Sequence, residues 1–122
     1  MILIDTSLWV HQMRRKGDPA KRQRVENLLL SGEAAWCPMI RLELWAGVGN
    51  DRERAILKEY EQVIPEFSID DEVWQEACEL AERCRRAGKT APATDLLIAA
   101  CARRHKVALE HADRHFDLLG KL

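Results

Sequence analysis

The first ten residues, MILIDTSLWV, limit what this chain can fold into more than any other stretch. Four apolar residues run straight into Asp5, Thr6 and Ser7, which reads as a short buried strand whose C-terminal end opens on a polar site. Ligands of open α/β sheets gather beyond the carboxyl ends of the strands, so chemistry is expected to assemble around Asp5.

At 122 residues the chain is expected to form one domain spanning 1–122, with enough sequence to bury a core without disulfides or repeats. The formal net charge of -1 points to no class of partner. The longest apolar stretch, Leu96 to Ala102, is far short of the ~20 residues of a membrane span, and Met1 leads into acidic Asp5 rather than a basic leader. A soluble, unexported, cytoplasmic protein is expected. Cys37, Cys78, Cys84 and Cys101 form no CxxC pair and fall in or beside expected buried elements, so free thiols in a reducing compartment are expected.

After the first strand, Thr6 or Ser7 caps a helix carrying Leu8, Trp9 and Met13, which ends before Gly17. Asp18-Pro19 opens a second helix with Val25, Leu28 and Leu29 inward and Ser31-Gly32 at its end. Arg14, Arg15, Lys16, Lys21, Arg22 and Arg24 cluster on this hairpin, either as a phosphate-facing patch or as a solvated surface. Ala34 to Cys37 reads as a second strand, and Met39 to Val48 as a helix apolar nearly all round, hence buried, with Glu43 directed toward apolar neighbours. A charged helix from Asp51 to about Gln62 precedes a short edge strand, Glu66 to Ile69. The helix opened by Asp70 and Asp71 has an inner stripe of Val73, Trp74, Ala77, Leu80, Ala81 and Cys84, and ends at Gly88. Ala91 to Arg104 forms another buried helix with Asp95 in its first turn, Val107 to Leu109 a last strand, and Phe116, Leu118 and Leu119 a final helix. Strands alternating with helices predict a three-layer α/β/α sandwich around a small, mostly parallel sheet.

In a parallel sheet, strand ends and helix starts share one edge, which brings Asp5, Asp95 and Asp113 together there. Taken singly, Asp95 and Asp113 also suit capping or first-turn positions, and Glu43 has Arg41 nearby as a pairing partner. Gathered carboxylates repel unless a divalent cation offsets them, and ligands that are all oxygen favour Mg²⁺ or Mn²⁺. Such a cation activates water and stabilises an in-line displacement at a phosphodiester, so the pattern suggests a metal-dependent nuclease.

Four segments together resemble PIN-domain ribonucleases, especially the VapC-type toxins of toxin-antitoxin systems. They are MILIDTSLWV, Pro38 to Leu44 followed by Gly47, Ala93 to Ala99, and Ala112-Asp113-Arg114-His115-Phe116. The resemblance implies that Asp5, Glu43, Asp95 and Asp113 are the catalytic residues and bind Mg²⁺ or Mn²⁺, with the Thr6 hydroxyl supporting Asp5. It implies cleavage of RNA, often a transfer or ribosomal RNA, by metal-activated water. It further implies a homodimer or toxin-antitoxin hetero-oligomer with a VapB-like antitoxin, to whose interfaces the first hairpin, Trp9 and Trp45 would contribute, although a Trp is more often core. The chain departs from the family in carrying His111 and His115 near the last acid, with Asp117 as an auxiliary acid or mere surface.

Three other readings compete. His111 and His115 have HxxxH spacing and, with Cys101 or Asp113, suggest zinc, although no HExxH is present. A phosphatase using Asp5 as nucleophile lacks a second acid at position 7, which is Ser. A PIN-like module that binds RNA or protein without cutting would gain nothing from mutually repelling acids.

Overall fold

The computed structural model describes residues 1–122. Its elements are β1 (Ile2–Ile4), α1 (Thr6–Met13), α2 (Pro19–Leu30), β2 (Ala34–Ala35), α3 (Pro38–Ala46), α4 (Asp51–Val63), α5 (Asp71–Arg86), α6 (Ala93–His105), β3 (Ala108–Glu110) and α7 (Arg114–Leu119). The three strands lie in the order β2-β1-β3, and both pairings are parallel. Leu3 sits between Ala35 and Leu109, so β1 is the central strand, and its Leu3 and Ile4 are fully buried.

The edge strand expected at Glu66 to Ile69 is reduced to one parallel bridge between Trp36 and Glu66. Trp36 donates its N–H to the Pro65 carbonyl at 3.1 Å, and Phe67 returns one to the Trp36 carbonyl at 2.8 Å. Pairing stops there because Pro38 has no N–H to offer and already begins α3. The bridge still fixes the winding. The chain steps outward from β1 to β2 to Glu66, then returns to β3 on the far side of β1. Right-handed crossovers of that order carry α1 to α4 over one face and α5 and α6 over the other. The reversal leaves a crevice beyond the carboxyl ends of β1 and β3.

Local chemistry sets the helix boundaries. Asp5, Asp18, Asn50, Asp70 and Asp113 each accept a backbone N–H as N-caps, and Pro19 and Pro38 occupy first-turn positions where a missing N–H costs nothing. Gly17 is required at the α1–α2 turn, because a Cβ there would fall 2.0 Å from the His11 carbonyl oxygen.

Trp9 is fully buried, donates Nε1–H to the Ile4 carbonyl at 2.8 Å, and packs on Trp36 and Tyr60 at centroid distances of 5.9 and 5.2 Å. Of the two places its sequence allows, core or interface, it takes the core. Trp45 is only partly buried and donates to Glu61 Oε2 at 3.0 Å. Two helices are less buried than their sequences suggest. Along α5 the buried residues are Val73, Ala77, Leu80 and Cys84, while Trp74, one position off that stripe, is 54% exposed. Along α3 only Ile40 and Leu44 are buried and Leu42 is 60% exposed, because α3 packs on one side and faces solvent on the other. By contrast α6 is enclosed, with every residue from Leu97 to Ala102 buried. All four cysteines are free, and Cys78 lies exposed rather than in the core. No helix is long and apolar enough to cross a membrane.

The two tryptophans give a direct comparison. Trp9→Ala is expected to lower the unfolding free energy by about 3–5 kcal/mol, from lost burial and a residual cavity. Trp74→Ala is expected to change it by no more than about 0.5 kcal/mol. Urea denaturation of the two variants checks both values.

Candidate functional site

Asp5 follows the last residue of β1, where the chain must turn from strand to helix. Its side chain is 4% exposed, and Oδ2 accepts the Ser7 N–H at 3.0 Å and the Ser7 hydroxyl at 2.6 Å. The cap that starts α1 thus also holds a buried carboxylate in place. The Asp5 N–H donates to the Glu110 carbonyl at 2.9 Å, and Ser7 Oγ accepts the Ala112 N–H at 3.0 Å. These two bonds stitch the turn after β1 to the turn after β3, so the segment carrying Asp113 is drawn to Asp5.

Asp95 lies in the first turn of α6, where the helix dipole favours a negative charge, and is 8% exposed. Asp113 caps α7, its Oδ1 accepting the His115 N–H at 2.9 Å. His115 brings its Nδ1 to 3.1 Å from Asp95 Oδ2 and 3.0 Å from Asp113 Oδ1. Glu43 enters from the middle of α3, half-buried, with Oε1 accepting the Thr6 hydroxyl at 2.9 Å. The Thr6 hydroxyl therefore supports Glu43 rather than Asp5, the role expected of it, and Ser7 supports Asp5 instead. Arg41 is not the partner of Glu43 either. It pairs with Glu66 at 2.6 Å and with Glu61 at 3.6 Å.

The electrostatics follow from this crowding. Burial pushes the Glu43 carboxyl above its ordinary pKa, the charges of Asp5 and Asp95 push it further, and the Thr6 hydroxyl pulls back. Burial likewise raises Asp95, reinforced by Asp113 and Asp5 and opposed by His115. All four expected acids thus sense one another, directly or through a shared neighbour. No Lys or Arg forms an ion pair with any of them, since the ion pairs of Lys and Arg lie elsewhere. Acidic donors without a resident Lys or Arg suit a hard divalent cation.

The remaining histidine and acid fall outside this cluster. His111 points Nε2 at Asp117 at 3.6 Å and stacks on Phe116 at 5.2 Å, while its Nδ1 is buried without a partner. Asp117 is exposed and faces His111, not the acids. Cys101 lies against Cys37 and directs its thiol toward the Ser68 carbonyl, at 3.7 Å. The zinc set built on HxxxH spacing is therefore not gathered. The basic hairpin, in contrast, reaches the rim of the crevice, where Arg24 pairs with Glu110 at the end of β3.

Sequence reasoning passed over two contributors. Ser7 reads locally as a cap, and His115 as a departure from a family pattern or as half of an HxxxH pair directed at zinc. Asp-x-His at the start of a helix was the available signal for the latter, because a capping Asp and the residue two beyond it share one turn.

Two predictions arise from this geometry. Ser7→Ala removes the hydroxyl that joins the two turns and is expected to cost about 2–4 kcal/mol of stability in urea titration, because it loses two hydrogen bonds, one of them to the buried Asp5 carboxylate. A carboxyl whose pKa is raised by folding holds its proton more tightly in the native state, so stability falls as pH rises from the ordinary carboxylate range through the raised value. In chelator, Glu43→Gln is therefore expected to melt above wild type at neutral pH and to lose that advantage near about pH 4. Thermal melts at the two pH values check the sign.

Comparison with known proteins places this geometry in a family. The PIN domain model matches residues 2–122. Ribonuclease VapC11 of Mycobacterium tuberculosis is 35% identical, over 100% of this chain and 93% of that protein. Ribonuclease VapC21 of the same species is 29% identical, over 85% and 78%. Among solved structures, VapBC2 from Rickettsia felis, bound to a DNA fragment from its promoter, superposes with a TM-score of 0.81 at 19% identity, covering 100% of this chain and 96% of that one. VapC20 of M. tuberculosis, a sarcin-ricin loop cleaving toxin, superposes with a TM-score of 0.75 at 18% identity, over 98% and 95%. A chain with this sheet order, this acidic crevice and this level of identity to VapC ribonucleases along its full length belongs to the PIN domain family, as a VapC-type member.

Proposed function

We propose that this protein is a divalent-metal-dependent endoribonuclease and the toxin of a toxin-antitoxin pair, acting through Asp5, Glu43, Asp95 and Asp113. The observation that carries the reading is the convergence of four acids from four parts of the chain at one sheet edge without a Lys or Arg among them. Burying carboxylates beside one another costs stability that a purely structural role would not repay. The relatives' names, ribonuclease VapC11 and VapC21, supply the reaction class.

In this reading Asp5, Asp95, Glu43 and Asp113 hold Mg²⁺ or Mn²⁺. The chemistry the cation supplies is activation of a water for in-line attack on a phosphodiester and stabilisation of the charge that develops on the phosphate oxygens. The protein supplies position. Ser7 orients Asp5, Thr6 orients Glu43, the N-terminus of α6 fixes Asp95, and the cap of α7 fixes Asp113. The basic hairpin around Arg14, Arg15, Lys16, Lys21 and Arg22 offers charge to the RNA backbone beside the crevice. The same face suits a VapB-like antitoxin, which silences the enzyme in a hetero-oligomer or on a homodimer, and the cytoplasm is the compartment that fits both partners and the free thiols. The structural relatives include toxin-antitoxin complexes, which supports such a partner.

The test uses purified protein free of any partner, total RNA and Mn²⁺. Wild type is expected to cut. Asp5→Asn and Asp95→Asn are each expected to slow cleavage at least about a hundredfold, because each removes part of the charge that holds the cation. Chelator is expected to abolish cleavage. Equal background from all three proteins, with RNA retained in a gel shift, would instead identify a PIN-like module that binds without cutting.

A further inference from the structure

The tightest convergence in the crevice is not among the carboxylates alone. Asp95, Asp113 and His115 each offer one donor atom to a cluster within 4.8 Å. The imidazole is placed there by α7. Asp113 caps the helix through the His115 N–H, and that first turn swings the His115 ring over the start of α6, onto Asp95. The ring remains partly exposed, while the Asp95 side chain against it is nearly buried.

Two geometric features suit a cation rather than a plain ion pair. Donors about 2.1 Å from an octahedral cation sit about 3 Å apart along each edge of the octahedron. His115 Nδ1 lies 3.1 and 3.0 Å from the two carboxylate oxygens, so the nitrogen stands about one octahedral edge from each of them. The same nitrogen also addresses both carboxylates at once, where a pairing partner for one acid would need only one. Nitrogen donors change selectivity, since imidazole favours first-row transition cations whereas oxygen-only sites suit Mg²⁺.

We propose that His115, through Nδ1, joins Asp95 and Asp113 in a mixed nitrogen and carboxylate site that makes this chain select a transition cation, Mn²⁺ or Co²⁺, over Mg²⁺. The inference rests on the metal-dependent reading above and deepens it by naming the class of cation and the residue that discriminates.

The experiment is isothermal titration of the whole chain with Mn²⁺ and with Mg²⁺, for wild type, His115→Ala and His115→Asp, alongside the visible spectrum of each with Co²⁺. Wild type is expected to bind Mn²⁺ at least about tenfold more tightly than Mg²⁺. His115→Ala is expected to lose about tenfold in Mn²⁺ affinity with little change for Mg²⁺. His115→Asp restores an oxygen donor, so it is expected to bind both ions with the preference for Mn²⁺ reduced about tenfold and with a shifted Co²⁺ band. Circular dichroism verifies the fold of both variants, and if His115→Ala is unfolded the ion preference of His115→Asp decides. Unchanged or tighter Mn²⁺ binding without the imidazole would mean that His115 merely occupies the cation's place, which overturns this inference and leaves the nuclease reading intact. No binding of either ion by wild type overturns both.

Discussion

A carboxylate at the end of a buried strand must be compensated where it stands. Asp5 has Ile4 behind it and no basic side chain paired with it, so its charge is carried by the Ser7 N–H and hydroxyl. That one arrangement organises its surroundings. Ser7 can serve Asp5 only as the second residue past the cap of α1, and the same hydroxyl accepts the Ala112 N–H. The loop that ends in Asp113 is thereby tied to the first strand, across more than a hundred residues of sequence.

Topology explains why these partners are available. The sheet reverses its winding at β1, leaving the turns after β1 and β3 side by side with no crossover between them. Helices that return antiparallel to the strands start at the same edge, which is why Asp95 in the first turn of α6 arrives there too. Glu43 comes by another route. It sits past the middle of α3, and its carboxylate reaches the crevice because α3 packs on α1 and α6 with Ile40 and Leu44 inward. The fold therefore presents acids through three devices, a strand end, two helix starts and the inner flank of a helix. Burial first, and the neighbouring charges second, raise the carboxyls of Glu43 and Asp95, so the crevice favours a positive charge.

The free thiols and the core follow a separate logic. Cys37 and Cys101 meet between the starts of β2's exit and the middle of α6, buried and reduced, and Cys37 is held below the ordinary thiol range by its Cys101 neighbour. Trp9 fills the space between α1, Trp36 and Tyr60, which anchors the helix whose cap is Asp5. Core packing and site geometry thus share residues at α1, and a loss in one is felt in the other.

Much of this was legible in local patterns. An apolar run stopping at Asp-Thr-Ser, prolines at helix starts, caps three residues ahead of their partners and alternating strands and helices depend on neighbours within one turn, so ten residues of context define them. Those signals sufficed for the parallel sheet, for all but one of the strands, and for the four acids as candidates. Only the tertiary structure decided the rest, because it turns on which distant groups share a volume. Trp74 and Leu42 look like core in the sequence but lie off the buried stripes of α5 and α3. The Glu66 strand fails because its partner ends at Pro38. Asp5, not Thr6 or Ser7, caps α1, and the two hydroxyls are free for other work because α3 brings Glu43 to one and β3 brings Ala112 to the other. The identity of the acids was written along the chain, but the place of His115 among them depended on folding, since the contact joins α7 to a helix start twenty residues earlier.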